Sequence, residues 1–165
     1  MAKNSRRYWL VKSEPNTFSW QHLWESPSRR TCWDGIRNYQ VRNFIRDDMK
    51  KGDLLLFYHS NAKPPGIVGV AELVRESYPD HTQFDPKDSH FDPKSKPEDP
   101  RWLMFDLKAK KKLAKFIPLP DLKESSSLKD MLVIQRGQRL SIQPVTPKEW
   151  GEVMVMGGLE RGYGG

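Results

Sequence analysis

The longest uninterrupted apolar run in this chain is Leu54-Leu55-Leu56-Phe57-Tyr58, and it stops abruptly at His59-Ser60-Asn61. A run of that length makes a buried strand and falls far short of the ~20 apolar residues that span a bilayer. A second run, Tyr8-Trp9-Leu10-Val11, ends the same way in Lys12-Ser13-Glu14-Pro15. Between them lies Thr31-Cys32-Trp33-Asp34-Gly35-Ile36-Arg37-Asn38-Tyr39-Gln40, in which Trp and Tyr stand among Asn, Gln and Arg. Two strands with polar ends and a Trp-bearing loop are the parts of a small stacking pocket. Aromatic faces hold a flat ring while amides and hydroxyls read its edge. The pattern points to a reader of nucleobases rather than to a catalyst.

The rest of the chain supplies short elements around these strands. Ser19 caps a short helix, with Phe18 and Leu23 as its hydrophobic staple and Trp20 and Trp24 on one face. Residues 39–50 read as a helix with Val41, Phe44, Ile45 and Met49 on one stripe, stopped at Gly52. Residues 67–74 read as a strand, and Gly69 within it predicts a bulge or a close backbone approach. Residues 75–101 are rich in Pro, Asp, Lys and Ser and carry Phe-Asp-Pro-Lys twice, at 84–87 and 91–94. They read as one long loop whose aromatic residues argue against full disorder. Trp102–Lys108 reads as strand, the lysines of 108–115 as a solvated turn or a duplex flank, and residues 127–133 as a short helix. Residues 140–145 alternate like a strand. Thr146-Pro147-Lys148-Glu149 is a capping box with Pro at the first helical position, and the helix it opens ends at Gly157-Gly158 before a Gly-rich tail expected to fray. The expected architecture is α+β: a mixed sheet curled into a barrel-like core, its ends closed by short helices.

With 165 residues the chain reads as a single domain that needs no staples. One cysteine, Cys32, excludes an internal disulfide and suits a reducing compartment. The basic start (Lys3, Arg6, Arg7) is followed by no apolar segment, so no signal peptide is read and a soluble, cytoplasmic protein is expected, nuclear if the source is a eukaryote. The net charge of +7 and pI near 9.5 favour encounters with polyanions, though solvated lysines alone produce the same figure. No membrane partner and no cofactor are expected, and a monomer is favoured.

Taken in order, Trp9–Pro15, Trp33–Asn43, Phe57–Ser60, Ile67–Glu72 and Gln135–Ser141 resemble the EVE-domain family, over about Tyr8 to Gly158. The resemblance implies a PUA-like pseudobarrel and kinship with YTH domains, which hold a methylated adenine in an aromatic cage. It implies a reader of modified bases, chiefly modified cytosines in DNA and in some members RNA, that flips the base into a pocket. Trp33 takes the place of the cage Trp. The second wall is open among Tyr39, Tyr58, Tyr78 and Trp102.

Trp33 also has a bland reading as a packing residue, although its loop setting favours a pocket wall. Ser13, Glu14, Asn38, Tyr58, His59 and Ser60 are the candidates for polar reading of the base. Each has an alternative: strand-end satisfaction for Ser13 and Ser60, a helix cap for Asn38, a satisfied core group for His59, and an ion pair for Glu14. Arg37, Arg42, Arg136 and Arg139 are the candidate phosphate contacts. Trp20, Trp24 and Trp150 read as core. Asp80, His81, Asp85, Asp88, His90 and Asp92 crowd one loop without a tight ligand motif, so no metal is assigned. The competing class is an enzyme. Lys12, Ser13 and Glu14 supply the residue types of a small nucleoside amidohydrolase of the ASCH kind, but strand alternation sends Ser13 to the opposite face from the other two. No Gly-x-Ser-x-Gly elbow, P-loop or dinucleotide fingerprint is present.

Overall fold

The structure is a computed structural model that describes residues 6–165. Lys3 and the start of the domain expected over 1–165 lie outside the described residues. Six strands form one mixed sheet: β1 (Tyr8–Ser13), β2 (Arg30–Trp33), β3 (Leu54–His59), β4 (Gly66–Pro79), β5 (Leu103–Pro118) and β6 (Ile142–Val145). Their order is β2-β5-β4-β3-β1-β6, with β1 and β3 parallel and the other neighbours antiparallel. Four short α-helices close it: α1 (Trp20–Glu25), α2 (Tyr39–Asn43), α3 (Leu119–Glu124) and α4 (Pro147–Met156). Among the described residues no helix is long and apolar enough to cross a membrane.

Two hydrophobic cores lie on the two faces of this sheet, and strand alternation sorts residues between them. Trp9, Val11, Leu55 and Phe57 enter the first core, with Trp20, Leu73, Phe105 and Leu107. Leu10, Leu54, Leu56 and Tyr58 enter the second, under Leu122, Met131, Trp150 and Met154. The apolar run of β3 is therefore continuous because it is buried on both faces. Both capping boxes form: Ser19 with His22, and Thr146 with Glu149. Asp53, almost wholly buried, accepts from Trp9 Nε1 and the backbone N–H groups of Arg7 and Lys50, pinning the start of β3.

Gly69 is where the first core closes. The register slips between Ile67 and Gly69, and the Trp20 ring lies so near that a Cβ on Gly69 would sit 2.6 Å from it. Bulge and close approach coincide there.

Several expected elements differ. The lysine-rich stretch is not a turn but the middle of β5. Lys110 is an extra residue between the pairs Val70–Lys111 and Ala71–Ala109. This bulge reverses the parity of the strand, so Leu107 and Ala109 face the first core while Leu113 and Ile117 face the second. The helix expected over 39–50 is α-helical only to Asn43, then a π-turn over Phe44–Asp48, and Met49 is already extended. The 75–101 loop starts later than expected, since β4 runs to Pro79. The helix expected over 127–133 is two 3₁₀ turns, Ser126–Leu128 and Leu132–Ile134. The Gly-rich tail docks instead of fraying: Trp150 Nε1 donates to the Tyr163 carbonyl, and Arg6 and Tyr8 donate to that of Gly164.

Candidate nucleic-acid interface

β1 and β3 run parallel, so Ser13 and His59 sit side by side at their carboxyl ends, where the Ser60 N–H donates to the Ser13 carbonyl. Phe57 and His59 share a face, the one that meets the first core. The half-buried Trp33 ring reaches this point from the end of β2. Its centroid lies 5.7 Å from Phe57 and 6.1 Å from Phe18, both edge-on. Phe18, Trp33 and Phe57 thus form an aromatic corner beside the ends of two strands. The turn 135–141 forms the far rim, because Ile142 pairs with Val11 and the Ser141 carbonyl accepts from Lys12 N–H. Leu140 packs on the first core from that turn.

The polar candidates divide by whether their hydrogen bonds are already made. Ser13 Oγ donates to the Phe18 carbonyl, fixing the turn that carries Phe18. Asn38 caps α2, its Oδ1 accepting from Val41 N–H. His59 Nε2 accepts from Trp20 N–H at 3.0 Å, so the ring is neutral, and burial holds its pKa below the ordinary value. These three take their internal readings. Glu14 is exposed, Ser60 is half-buried, and neither side chain is hydrogen-bonded within the described residues.

Four expected members of the pocket lie elsewhere. Tyr58 points into the second core, on the other face of β3 from Phe57, and burial raises its pKa. Tyr78 donates to Asp106 on the outer side of the sheet, and its phenol is held protonated by burial and by that carboxylate. Tyr39 and Trp102 pack on each other at a tilt of 31° with centroids 4.7 Å apart, and neither ring contacts that of Trp33; the Arg42 guanidinium lies 4.8 Å from the Tyr39 ring. Trp102 is buried and its Nε1 donates to Asp92, while Tyr39 is exposed. The aromatic neighbours of Trp33 are instead Phe18, which is half-buried, and Phe57, which is fully buried in the first core.

The arginines divide in the same way. Arg37 donates to Asp80, to Thr82 Oγ1 and to the carbonyls of Ile36 and His90, so its guanidinium is committed inside the protein. Arg42 donates to Asn43 Oδ1 and to the Arg101 carbonyl. Arg136 and Arg139 are exposed on the rim turn and make no ion pair or side-chain hydrogen bond within the described residues.

The sequence reading did not foresee what holds the 80–102 segment. Asp80 is fully buried and accepts from Gly35 N–H, Arg37, and both the N–H and hydroxyl of Thr82. Burial alone would raise its pKa, but these hydrogen bonds outweigh that and lower it. Gln83, also fully buried, bonds both the carbonyl and the N–H of Trp102. Gly35 has φ +79° and carries the His90 ring against it, a position closed to other residues. The crowded aspartates are spent on turns: Asp85, Asp88 and Asp92 each accept from an N–H two residues on. Among the described residues no group of three or more His, Cys, Asp or Glu is placed to hold a metal.

Two clefts lie away from Trp33. One of about 540 Å³ opens between Arg6, Asp48, Lys51 and Glu76, and one of about 350 Å³ beside Lys111 and Tyr163. Both are lined by residues of mixed charge.

Comparison with known proteins gives the geometry a context. A sequence profile of the EVE domain matches residues 7–156. Human thymocyte nuclear protein 1 is 45% identical over 171 residues, covering 93% of this chain and 75% of that protein. The crystal structure of the human protein in complex with 5-methylcytosine-containing DNA superposes with a TM-score of 0.87 at 44% identity, covering 93% of this chain and 99% of that one. A Pseudomonas syringae protein superposes with a TM-score of 0.85 at 39% identity, covering 91% and 99%. The pseudobarrel is thus the PUA-like fold of these structures.

Proposed function

Because this chain belongs to the EVE-domain family, we propose that it is a non-catalytic reader that draws a modified base of nucleic acid, flipped out of its stack, into the corner at Trp33. The observation that carries this is the Phe18–Trp33–Phe57 corner set at the carboxyl ends of β1 and β3, with a rim turn bearing two uncommitted arginines. The complex of the human relative with 5-methylcytosine DNA supports DNA as the partner and a modified cytosine as the base.

The energies are compatible. A base stacked on an aromatic ring gains about 1–3 kcal/mol, and extruding one from a duplex costs a few kcal/mol. One stacking contact roughly offsets extrusion, and phosphate contacts from Arg136 and Arg139 supply the surplus. Glu14 is the free carboxylate at the mouth, and it accepts from the N4 amino group that marks cytosine.

The amidohydrolase alternative draws no support from the geometry. Lys12 is paired with Tyr58 on the second-core side, whereas Ser13 is bonded to Phe18 on the other.

Tryptophan fluorescence titration with duplexes and single strands carrying plain, methylated and hydroxymethylated cytosine tests the proposal. Selective quenching by one modified base, lost in a folded Trp33→Ala variant, is expected. Equal quenching by all of them, or unchanged selectivity in Trp33→Ala, refutes it. Hydrolysis of an N4-acylated cytidine that Lys12→Ala abolishes would favour the enzyme.

A further inference from the structure

The alternation that points Trp33 inward points its neighbours outward. Trp33 pairs with Phe105, a first-core residue, while Cys32 pairs with Asp106 and Arg30 with Lys108. The outer face of the β2–β5–β4 ribbon is therefore a separate surface, and it is strongly basic. Lys108 lies opposite Glu72, Lys111 opposite Val70, and the bulged Lys110 approaches Glu72 at 3.9 Å. All three lysines are exposed. Beside them a connected network holds the face in shape: Arg75 stacks on the Tyr78 ring at 3.6 Å, Tyr78 donates to Asp106, and Asp106 accepts from Arg30. Five cations thus face Glu72, Asp106 and, in the cleft beside Lys111, Glu160, and Asp106 is occupied by Arg30 and Tyr78.

Two structural features link this face to the proposed reader. β2 is the terminal strand of the sheet, so a single strand edge separates the Trp33 corner from the lysine face. Along β2 the step from Trp33 to Arg30, the partner of Lys108, is three residues, roughly 10 Å at strand rise, so the lysine face begins close to the corner.

We infer that the outer face of β2–β5–β4 is a second, base-independent binding site for the phosphate backbone of duplex DNA, with Lys108, Lys110 and Lys111 as its principal contacts. This rests on the reading of the chain as a DNA-base reader, and adds the surface that holds the flanking duplex while the base is taken. The competing explanation is that the lysines only guard an exposed strand against edge-to-edge pairing.

The test is the salt dependence of binding to a short unmodified duplex. Each phosphate contact adds about 0.9 to the slope of log K against log salt. The triple variant Lys108→Gln, Lys110→Gln, Lys111→Gln is expected to lower the slope by about 2.7, so that wild type loses about 40-fold more affinity than the variant between about 50 and 200 mM salt. The matching triple Lys→Arg variant is expected to keep the wild-type slope, which separates loss of charge from loss of fold. A wild-type slope in a folded Gln variant overturns the site. The base-reading proposal is judged separately, by selectivity for the modified base. Trp33→Ala removes that selectivity, and the lysine variants leave it in place.

Discussion

Replacing Asp80 by Ala tests how the segment that follows Trp33 at the end of β2 is held. The carboxylate is fully buried and is the shared acceptor for Gly35 N–H, Arg37 and Thr82. Removing it strands the N–H groups of Gly35 and Thr82 and deprives Arg37 of its counter-ion. Breaking a buried ion pair costs about 3–5 kcal/mol. The lower end applies, because the Arg37 side chain is 22% exposed and keeps two bonds to the His90 carbonyl. A loss of about 3 kcal/mol lowers Tm by about 6–12 °C in a domain of this size. The pH dependence has a definite sign. The folded pKa lies below the ordinary 3.8, so the stabilisation is complete above that value and is lost as pH falls through the folded one. Asp80→Asn removes this part of the acid lability. Urea denaturation at neutral pH, with thermal scans at descending pH, measures both effects. A stability of the Ala variant within about 1 kcal/mol of wild type, well below the cost of a broken buried pair, would refute the anchoring role.

Three further outcomes follow from the same contacts. Gly69→Ala forces a Cβ to within 2.6 Å of the Trp20 ring, so overpacking of about 1–3 kcal/mol is expected in the unfolding midpoint. His59 accepts from Trp20 N–H and has a pKa held below 6.5, so the wild type loses stability as pH falls from there through the folded value, and His59→Gln shows less of that loss in Tm scans. If the corner at Trp33 reads the 5-methyl group by burial alone, about 0.8 kcal/mol, methylated cytosine is preferred over plain cytosine by about 4-fold in Kd. A ratio above about 50-fold, some 2.3 kcal/mol, excludes that account.

Much of the fold was legible because its signals are local. The Ser19 cap, the capping box at Thr146 and the ends of β1 and β3 depend on residues within a few positions of each other, whereas Gly69 announces a close approach but not its partner, Trp20, 49 positions away. The lysine stretch was not legible. Its apolar residues Ala109, Leu113 and Ile117 recur only every fourth position among lysines, a spacing too sparse to show a strand's alternation and one that hides the bulge at Lys110, which changes the face that is buried. The π-turn after Asn43 was hidden for a related reason: the apolar stripe Val41, Phe44, Ile45 fits an α-helix up to the residue where the hydrogen bonding changes.

The site was legible in its position but not in its partners. A run buried on both faces does not reveal which of Phe57 and Tyr58 turns toward Trp33, because that depends on the parallel pairing with β1 and on the second core beneath. Likewise Arg37 reads as a phosphate contact until Asp80, 43 residues away, is brought to 3.1 Å from it. The consequence is chemical. Ser13, Asn38 and His59 have made their hydrogen bonds within the protein, which leaves Glu14 and Ser60, just beyond the ends of β1 and β3, with side chains that make no hydrogen bond within the described residues. A carboxylate there distinguishes a base with an amino group from one without, since a donor left unpaired in a desolvated site is costly. It has no purchase on a methyl group, which on the proposed reading falls to the Phe18 and Trp33 rings, both half-buried, since Phe57 is fully buried. On that reading, base identity and base modification fall to different residues, so Glu14→Ala is expected to erode the preference for cytosine while leaving the methyl preference intact.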